Sequence, residues 1–216
     1  MRDIDSRFLL DWRTASGENV PLAAAWYEPE EADGKIGVQI VSSGPDSKRE
    51  EIKRCYMKMI TTARRNVYIQ TPYFVPDQSI LESLKMAAQS GVDVRLMIPC
   101  MPDHMFVYWA TYSYAAEIVD AGGRVFVYDN GFLHSKLMIV DGEVFSCGSA
   151  NFDRRSFSLN FEANAVVYDR EAATAMESIF EQDLSDCHEL TKRLYENRSL
   201  WIKFKESISR LLSDLL

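Results

Sequence analysis

No two cysteines of this chain stand in C-x2-C spacing, no run of eighteen apolar residues occurs, and basic residues are not in excess. Each absence removes a class of function. Cys55, Cys100, Cys147 and Cys187 are too scattered for a zinc ribbon or a dithiol redox motif, and they read as buried thiols of a reducing compartment. Without a long apolar run nothing reads as a transmembrane span, and the mixed charges of Met1-Arg-Asp-Ile-Asp-Ser-Arg do not read as a signal peptide. A net charge of −8 argues against a general nucleic-acid binder, which displays basic side chains to replace phosphate counterions, although a local basic groove can coexist with an acidic whole. Internal repeats and low-complexity segments are missing too.

What is present is ordinary globular usage: 216 residues, 47% hydrophobic and 26% charged, enough for a sizeable core. β-rich runs alternate with stretches of helical spacing, separated by Pro99, Pro102 and Gly122-Gly123. Strands are expected at 35–42, 65–71, 92–98 and 124–128, with helices at 46–63, 77–90 and 103–121 between them. A hairpin within 134–151, a strand at 162–168 and a helix at 171–186 follow. Strand–helix alternation implies parallel neighbours, and the hairpin adds antiparallel pairs. The expected fold class is therefore α/β, a mixed sheet flanked by helices on both faces in an α/β/α sandwich. Near the end, Trp201, Phe204, Ile208, Leu211, Leu212 and Leu215 fall on one helical stripe, with Lys203, Lys205 and Arg210 outside it. Such a helix suits docking on the domain or lying on a membrane surface.

The stretch from His134 to Asn151 carries the chemistry. In an extended strand His134 and Lys136 share a face roughly 6–7 Å apart, within reach of one phosphate. Asp141-Gly142-Glu143, flanked by apolar runs, reads as a tight hairpin turn in which glycine supplies positive φ. With Gly142 and Glu143 as the loop, Ser149 stands opposite Lys136 and Asn151 opposite His134, and opposed residues project to one face. Imidazole, ammonium, hydroxyl and carboxamide then form an anion cradle. Histidine, with a reference pKa of about 6.5, is partly unprotonated near neutrality and can attack phosphorus to give a phosphohistidine. The departing alkoxide needs a proton from a second group on the opposite side of the phosphorus. Lys136, Ser149 and Asn151 suit the non-bridging oxygens, where charge builds in the transition state. This chemistry calls for no metal and no other cofactor. Asp141, at the hairpin corner, either organises the turn or touches substrate.

His-x-Lys-x4-Asp-x6-Gly-Ser-x-Asn, here His134, Lys136, Asp141, Gly148, Ser149 and Asn151, resembles the HKD motif of the phospholipase D superfamily with every spacing intact. Three further stretches resemble bacterial cardiolipin synthases: Gln70-Thr-Pro-Tyr73-Phe74-Val-Pro76, Asp103-His104 through Tyr108-Trp109-Ala110 to Tyr114, and Gly131-Phe132-Leu133. The likeness runs along nearly the whole chain and, in such enzymes, fills the C-terminal half. It implies a phospholipase D-like fold and a phosphatidyl transfer between two phosphatidylglycerols with release of glycerol. The catalytic set is then His134, Lys136 and Asp141, with Gly148, Ser149 and Asn151 on substrate. Glu162 matches an acidic residue that hydrogen-bonds a motif histidine, while Gln70, Tyr73, Phe74, His104, Tyr108 and Phe132 are candidates to line an amphiphilic entrance. By the same analogy His134 is the general acid and base with the nucleophile from a second unit, and the near-symmetry of the two motifs permits the reverse.

The superfamily's site takes two HKD copies, whereas His104 and His188 are followed by no Lys-x4-Asp. Three situations fit: a missing N-terminal HKD domain, a homodimer working as a phosphodiesterase or nuclease, or a non-catalytic half-site that binds anionic lipid. Arg7-Phe8-Leu9-Leu10-Asp11-Trp12 is spaced as a short helix and resembles the close of a first domain. Residues 1–34 are expected to be such a remnant with a linker, and 35–216 the domain proper. The resemblance places the protein peripherally on the cytoplasmic side of the bacterial cell membrane.

Overall fold

The structure is a computed structural model that describes residues 2–21, 34–101 and 103–212. Its elements in chain order are α1 (Arg2–Ser16), β1 (Gly37–Ser43), α2 (Glu51–Thr62), β2 (Asn66–Gln70), β3 (Phe74–Val75), α3 (Gln78–Gln89), β4 (Asp93–Pro99), α4 (Met105–Asp120) and β5 (Arg124–Tyr128). The hairpin strands β6 (Leu137–Val140) and β7 (Val144–Gly148) follow, then β8 (Phe152–Asp153), α5 (Arg154–Ser158), β9 (Glu162–Tyr168), α6 (Arg170–Asp183), β10 (Cys187–Glu189), α7 (Lys192–Glu196) and α8 (Leu200–Leu211). Eight strands form one mixed sheet in the order β1-β9-β7-β6-β2-β4-β5-β10. The pairs β2–β4 and β4–β5 are parallel and the others antiparallel, because helices α3 and α4 cross over between the former while short links join the hairpin strands.

Alternation along the central strands sorts their side chains into two cores. Val67, Ile69, Leu96, Ile98, Val125, Val127, Met138 and Val140 face the side covered by α2, α3 and α4, where Ile52, Tyr56, Ile60, Ile80, Leu84 and Ile118 are buried. Their neighbours Tyr68, Met97, Phe126, Leu137 and Ile139 face α6, whose Phe180 stacks on Tyr68 at 4.9 Å. The sheet is thus a sandwich filling with helices on both faces, as alternation alone implies.

Local capping sets where helices begin. Asp77 accepts from the Ile80 amide and starts α3, and Asp169 accepts from the Ala172 amide and starts α6. The helix expected from residue 46 begins only at Glu51, since Glu50 sits at φ 51 and the Ser43 hydroxyl takes the Ile52 amide. Beyond α6 the three residues of β10 pair with β5, and an exposed His188 meets Asp129 at 2.7 Å. All four cysteines are free, and each is part-buried where the sequence predicts buried thiols. Among the described residues no helix is long and apolar enough to cross a membrane.

Candidate active site

The carboxyl ends of β2, β4, β5 and β7 and the amino ends of antiparallel β6 and β9 lie along the same edge, as the registers Gln70↔Met97, Gln70↔Leu137, Leu137↔Cys147 and Gly148↔Asn164 require. Of the motif residues, His134, Lys136, Gly148, Ser149 and Asn151 flank these strand ends, whereas Asp141, expected in the catalytic set, lies at the opposite end of β6 and β7. In open α/β sheets the crevice outside the carboxyl ends of the strands is where ligands bind.

The hairpin differs from its expected register by one residue. Val140 pairs with Val144, which places Gly148 rather than Ser149 opposite Lys136, and the Gly148 amide donates to the Lys136 carbonyl at 3.3 Å. Asp141 and Gly142 both adopt left-handed backbone, at φ 57 and 60, and the Glu143 amide closes on the Val140 carbonyl. That is a type I′ turn at Asp-Gly, with Glu143 as an extra residue before pairing resumes. Regular pairing ends at Gly148, so Asn151 is not held opposite His134; Ser149 bonds instead to β9, its amide to the Ala163 carbonyl at 3.1 Å and its hydroxyl to the Ala163 amide at 3.0 Å.

Asp141 is occupied by backbone. Its carboxylate accepts from the amides of Arg64, Arg65 and Asn66 at 2.9, 2.7 and 3.0 Å. Fixing the link between α2 and β2 to the hairpin corner is therefore what this side chain does within the chain.

His134 is exposed, and its ring stacks on Phe132 with centroids 5.5 Å apart. Lys136 is half-buried and its Nζ donates to the His134 carbonyl at 2.8 Å. Burial holds its pKa below the usual lysine value, against the opposing charges of Glu162, Asp153 and Asp103. Three carboxylates thus act through space on the motif's one lysine. Of these Asp153 is itself shifted up by burial, despite accepting from the Ser156 amide at 2.7 Å. Glu162 is buried and accepts from the Asn160 amide group at 3.3 Å; no hydrogen bond joins it to the His134 ring among the described residues.

Asn151 bonds through Nδ2 to the Ser156 hydroxyl at 3.4 Å, while its buried Oδ1 has no partner among the described residues. Tyr73 donates its hydroxyl to Asp103, and its ring lies 6.3 Å from that of exposed His104; burial and the two acids Asp103 and Asp153 push its phenol pKa up. Two expected lining residues face inward instead. Phe74 is fully buried and packs on Phe152, because β3 pairs with β8 beneath the surface. Gln70 is buried on the α6 side, donating to Asp183 at 2.7 Å and accepting from the Ser135 hydroxyl at 3.0 Å. It steadies the residue between His134 and Lys136. Tyr108 packs edge-on against Trp109.

Sequence reasoning missed Asn164. Its Oδ1 accepts from the Ala150 amide and its Nδ2 donates to Tyr56 and Ser146, so one buried carboxamide ties Ser149-Ala150-Asn151 to the core. A polar residue at an inward position of an otherwise apolar strand was the available signal. A cleft of 1070 Å³ beside Arg7, Ser43, Arg54 and Lys58 contains none of the motif residues, and His134 stands on open surface. No group of three or more His, Cys, Asp or Glu able to hold a metal occurs among the described residues.

Solved structures share this architecture. Nuc, a phospholipase D family member from Salmonella typhimurium, superposes with a TM-score of 0.63 at 19% identity, over 73% of this chain and 100% of its own. Phosphatidylserine synthase from Haemophilus influenzae Rd KW20 gives 0.63 at 16% identity, over 83% of this chain and 45% of its own. At these identities they define a fold, the phospholipase D-like α/β/α sandwich. The family described as "Cardiolipin synthase, PLD-like domain" matches residues 56–184, and the chain belongs to it. Cardiolipin synthase of Listeria monocytogenes serotype 4a (strain HCC23) is 50% identical over 214 residues, 99% of this chain and 44% of that protein. Cardiolipin synthase of Staphylococcus aureus (strain Mu50) is 53% identical over 211 residues, 97% of this chain and 43% of that protein. The chain therefore spans less than half the length of these curated relatives.

Proposed function

We propose that this chain supplies one wall of a phosphatidyltransferase site of the cardiolipin synthase type, completed by a second HKD unit. The observation that carries the reading is the exposed His134 beside a single half-buried lysine, in a chain that contains the motif once. Two imidazoles are needed for in-line displacement, one to attack and one to protonate the leaving alkoxide. Lys136 is also the motif's one cation, so cations from a second unit would hold a phosphodiester more firmly.

In the proposed reaction the partner histidine attacks the phosphorus of one phosphatidylglycerol. A P–N bond forms, the P–O bond to glycerol breaks, and His134 delivers the proton to the departing glycerol. His134 then takes the proton from a hydroxyl of a second phosphatidylglycerol, whose oxygen displaces the partner histidine to give the bridged lipid. Lys136, Ser149 and Asn151 stabilise the non-bridging oxygens, for which the Ser149 hydroxyl turns its proton away from the Ala163 carbonyl and Asn151 its Nδ2 away from Ser156. Asp141 and Gly148 position the hairpin, Glu162 serves the partner unit's histidine, and Phe132, Tyr73 and His104 line the entrance. Residues 1–34 are read as the close of a preceding unit with its linker, 35–216 as the second domain. The enzyme works peripherally on the cytoplasmic side of the bacterial membrane, without metal.

The test is to assay the chain alone and with an N-terminal HKD half from a curated relative, on phosphatidylglycerol and on single-stranded DNA. Lipid transfer only with the added half, abolished by His134→Ala, is expected. Cleavage of DNA by the chain alone as a dimer identifies the nuclease alternative, and lipid binding without turnover in any assembly identifies a non-catalytic half-site.

A further inference from the structure

Helix α8 is mounted the wrong way round for a protein in water. Its buried residues are Glu206 and Ser209. Glu206 is paired bidentately with Arg198, with one contact at 2.8 Å, and it also accepts from the Tyr195 hydroxyl at 3.1 Å. Arg210 bonds to Ser113 and Glu117 of α4. These polar contacts clamp the helix to α4 and α7 and turn its apolar stripe outward. Leu200 is 84% exposed, Trp201 65%, Phe204 53% and Leu211 83%. Burying such side chains is favourable, a gain this packing leaves unused.

The outward stripe continues onto α4. Between the two helices runs a groove of 270 Å³ lined by Met105, Phe106, Trp109, Trp201, Phe204 and Ile208, together with Ser209 and Lys205. Lys205 is its one charged lining residue, 5.3 Å from the Trp109 ring and 5.9 Å from Trp201. Lys203 lies on the same helix, its Nζ on the Glu196 carbonyl, and no carboxylate lines the groove. In a chain of net charge −8 this apolar face is edged by lysines. Indole rings, aliphatic tips and lysines on one helix face are what the headgroup boundary of an anionic bilayer accommodates. Met105 and Phe106 directly follow His104, and Asp103 before it holds the Tyr73 hydroxyl, so the face abuts the rim of the site.

We infer that the exposed faces of α8 and the start of α4 form a bilayer-docking surface, with Trp201, Phe204, Ile208, Met105 and Phe106 entering the headgroup boundary of an anionic membrane and Lys203 and Lys205 meeting its phosphates. The commitment to a bilayer, rather than to a second protein surface, rests on the lipid-substrate reading above and on the charge match.

The 216-residue chain is sedimented with phosphatidylcholine vesicles with and without phosphatidylglycerol. Binding that requires phosphatidylglycerol is expected, lowered about tenfold or more by Trp201→Ala with Phe204→Ala and about fivefold by Lys205→Ala. Brominated acyl chains should quench the tryptophan fluorescence of the wild type, and Trp201→Phe should lose most of that quenching while still binding. A double variant that melts like the wild type yet binds vesicles equally overturns the proposal. So does a vesicle-free light-scattering mass of a dimer that the double variant converts to a monomer, since a second copy then covers the face. Failure of the catalytic reading looks different: no transfer in detergent micelles with the N-terminal half present, while vesicle binding is intact.

Discussion

A methyl group at Gly148 would stand 2.3 Å from the Ala163 carbonyl oxygen and 2.6 Å from Cα and Oδ1 of Asn164, all fixed by the β7–β9 ladder. Gly148→Ala must therefore push the motif strand off β9, at a cost of about 1–3 kcal/mol read by chemical denaturation. In a competent assembly the displaced Ser149 should also lower the single-turnover rate by ~10²-fold; an unchanged rate would detach the glycine from catalysis. At Asp153 the prediction concerns pH. Its carboxyl is raised by burial, so the folded state favours the protonated form. Stability from this group is present below the ordinary carboxylate range and lost as pH rises through the raised value. Asp153→Asn, neutral and still able to accept the Ser156 amide, should melt above the wild type near neutral pH and level with it in acid. Melting curves across pH check this, and a lower Tm for the variant at neutrality contradicts it.

At the level of elements, the hairpin depends on one side chain. Asp141 holds the amides of Arg64, Arg65 and Asn66 from a left-handed backbone position. Asp141→Ala strands these amides and adds strain at positive φ, so a loss of about 1.5–3 kcal/mol is expected. Asp141→Asn keeps an acceptor and tolerates left-handed backbone, and should lose less. Stability unchanged in Asp141→Ala would mean that the carboxylate clamp contributes nothing. Helix α8 shows the same dependence on polar anchors: Arg198 and Glu206, with Arg210 and Glu117, decide which face of an amphipathic helix meets solvent.

For the molecule as a whole, the field around Lys136 sets what one copy can do. With Glu162, Asp153 and Asp103 all acting on that lysine, the isolated chain should bind inorganic phosphate weakly. Adding a second HKD unit should tighten phosphate binding roughly tenfold or more, the size of a single added charge-assisted contact. Titration calorimetry with and without the N-terminal half of a relative measures it, and tight binding by the chain alone would remove the electrostatic case for a half-site.

Periodicity by itself determined the class of fold and most of its elements, because strands buried on both faces and amphipathic helices write their burial into the order of residues. β5 and β9 were legible to the residue, at Arg124–Tyr128 and Glu162–Tyr168. So was the motif, whose spacing survives any detail of packing. Elements held by few residues were not legible: β3 with β8, and β10, are too short to show a period. Tertiary structure alone decided the rest of the site. A type I′ turn with one extra residue moved Gly148 opposite Lys136, and pairing across the sheet drew Gln70 and Phe74 inward. Three carboxylates distant in sequence came to act on Lys136, and the stripe of α8 was left facing out, since these outcomes depend on how elements pack together and no local pattern encodes them.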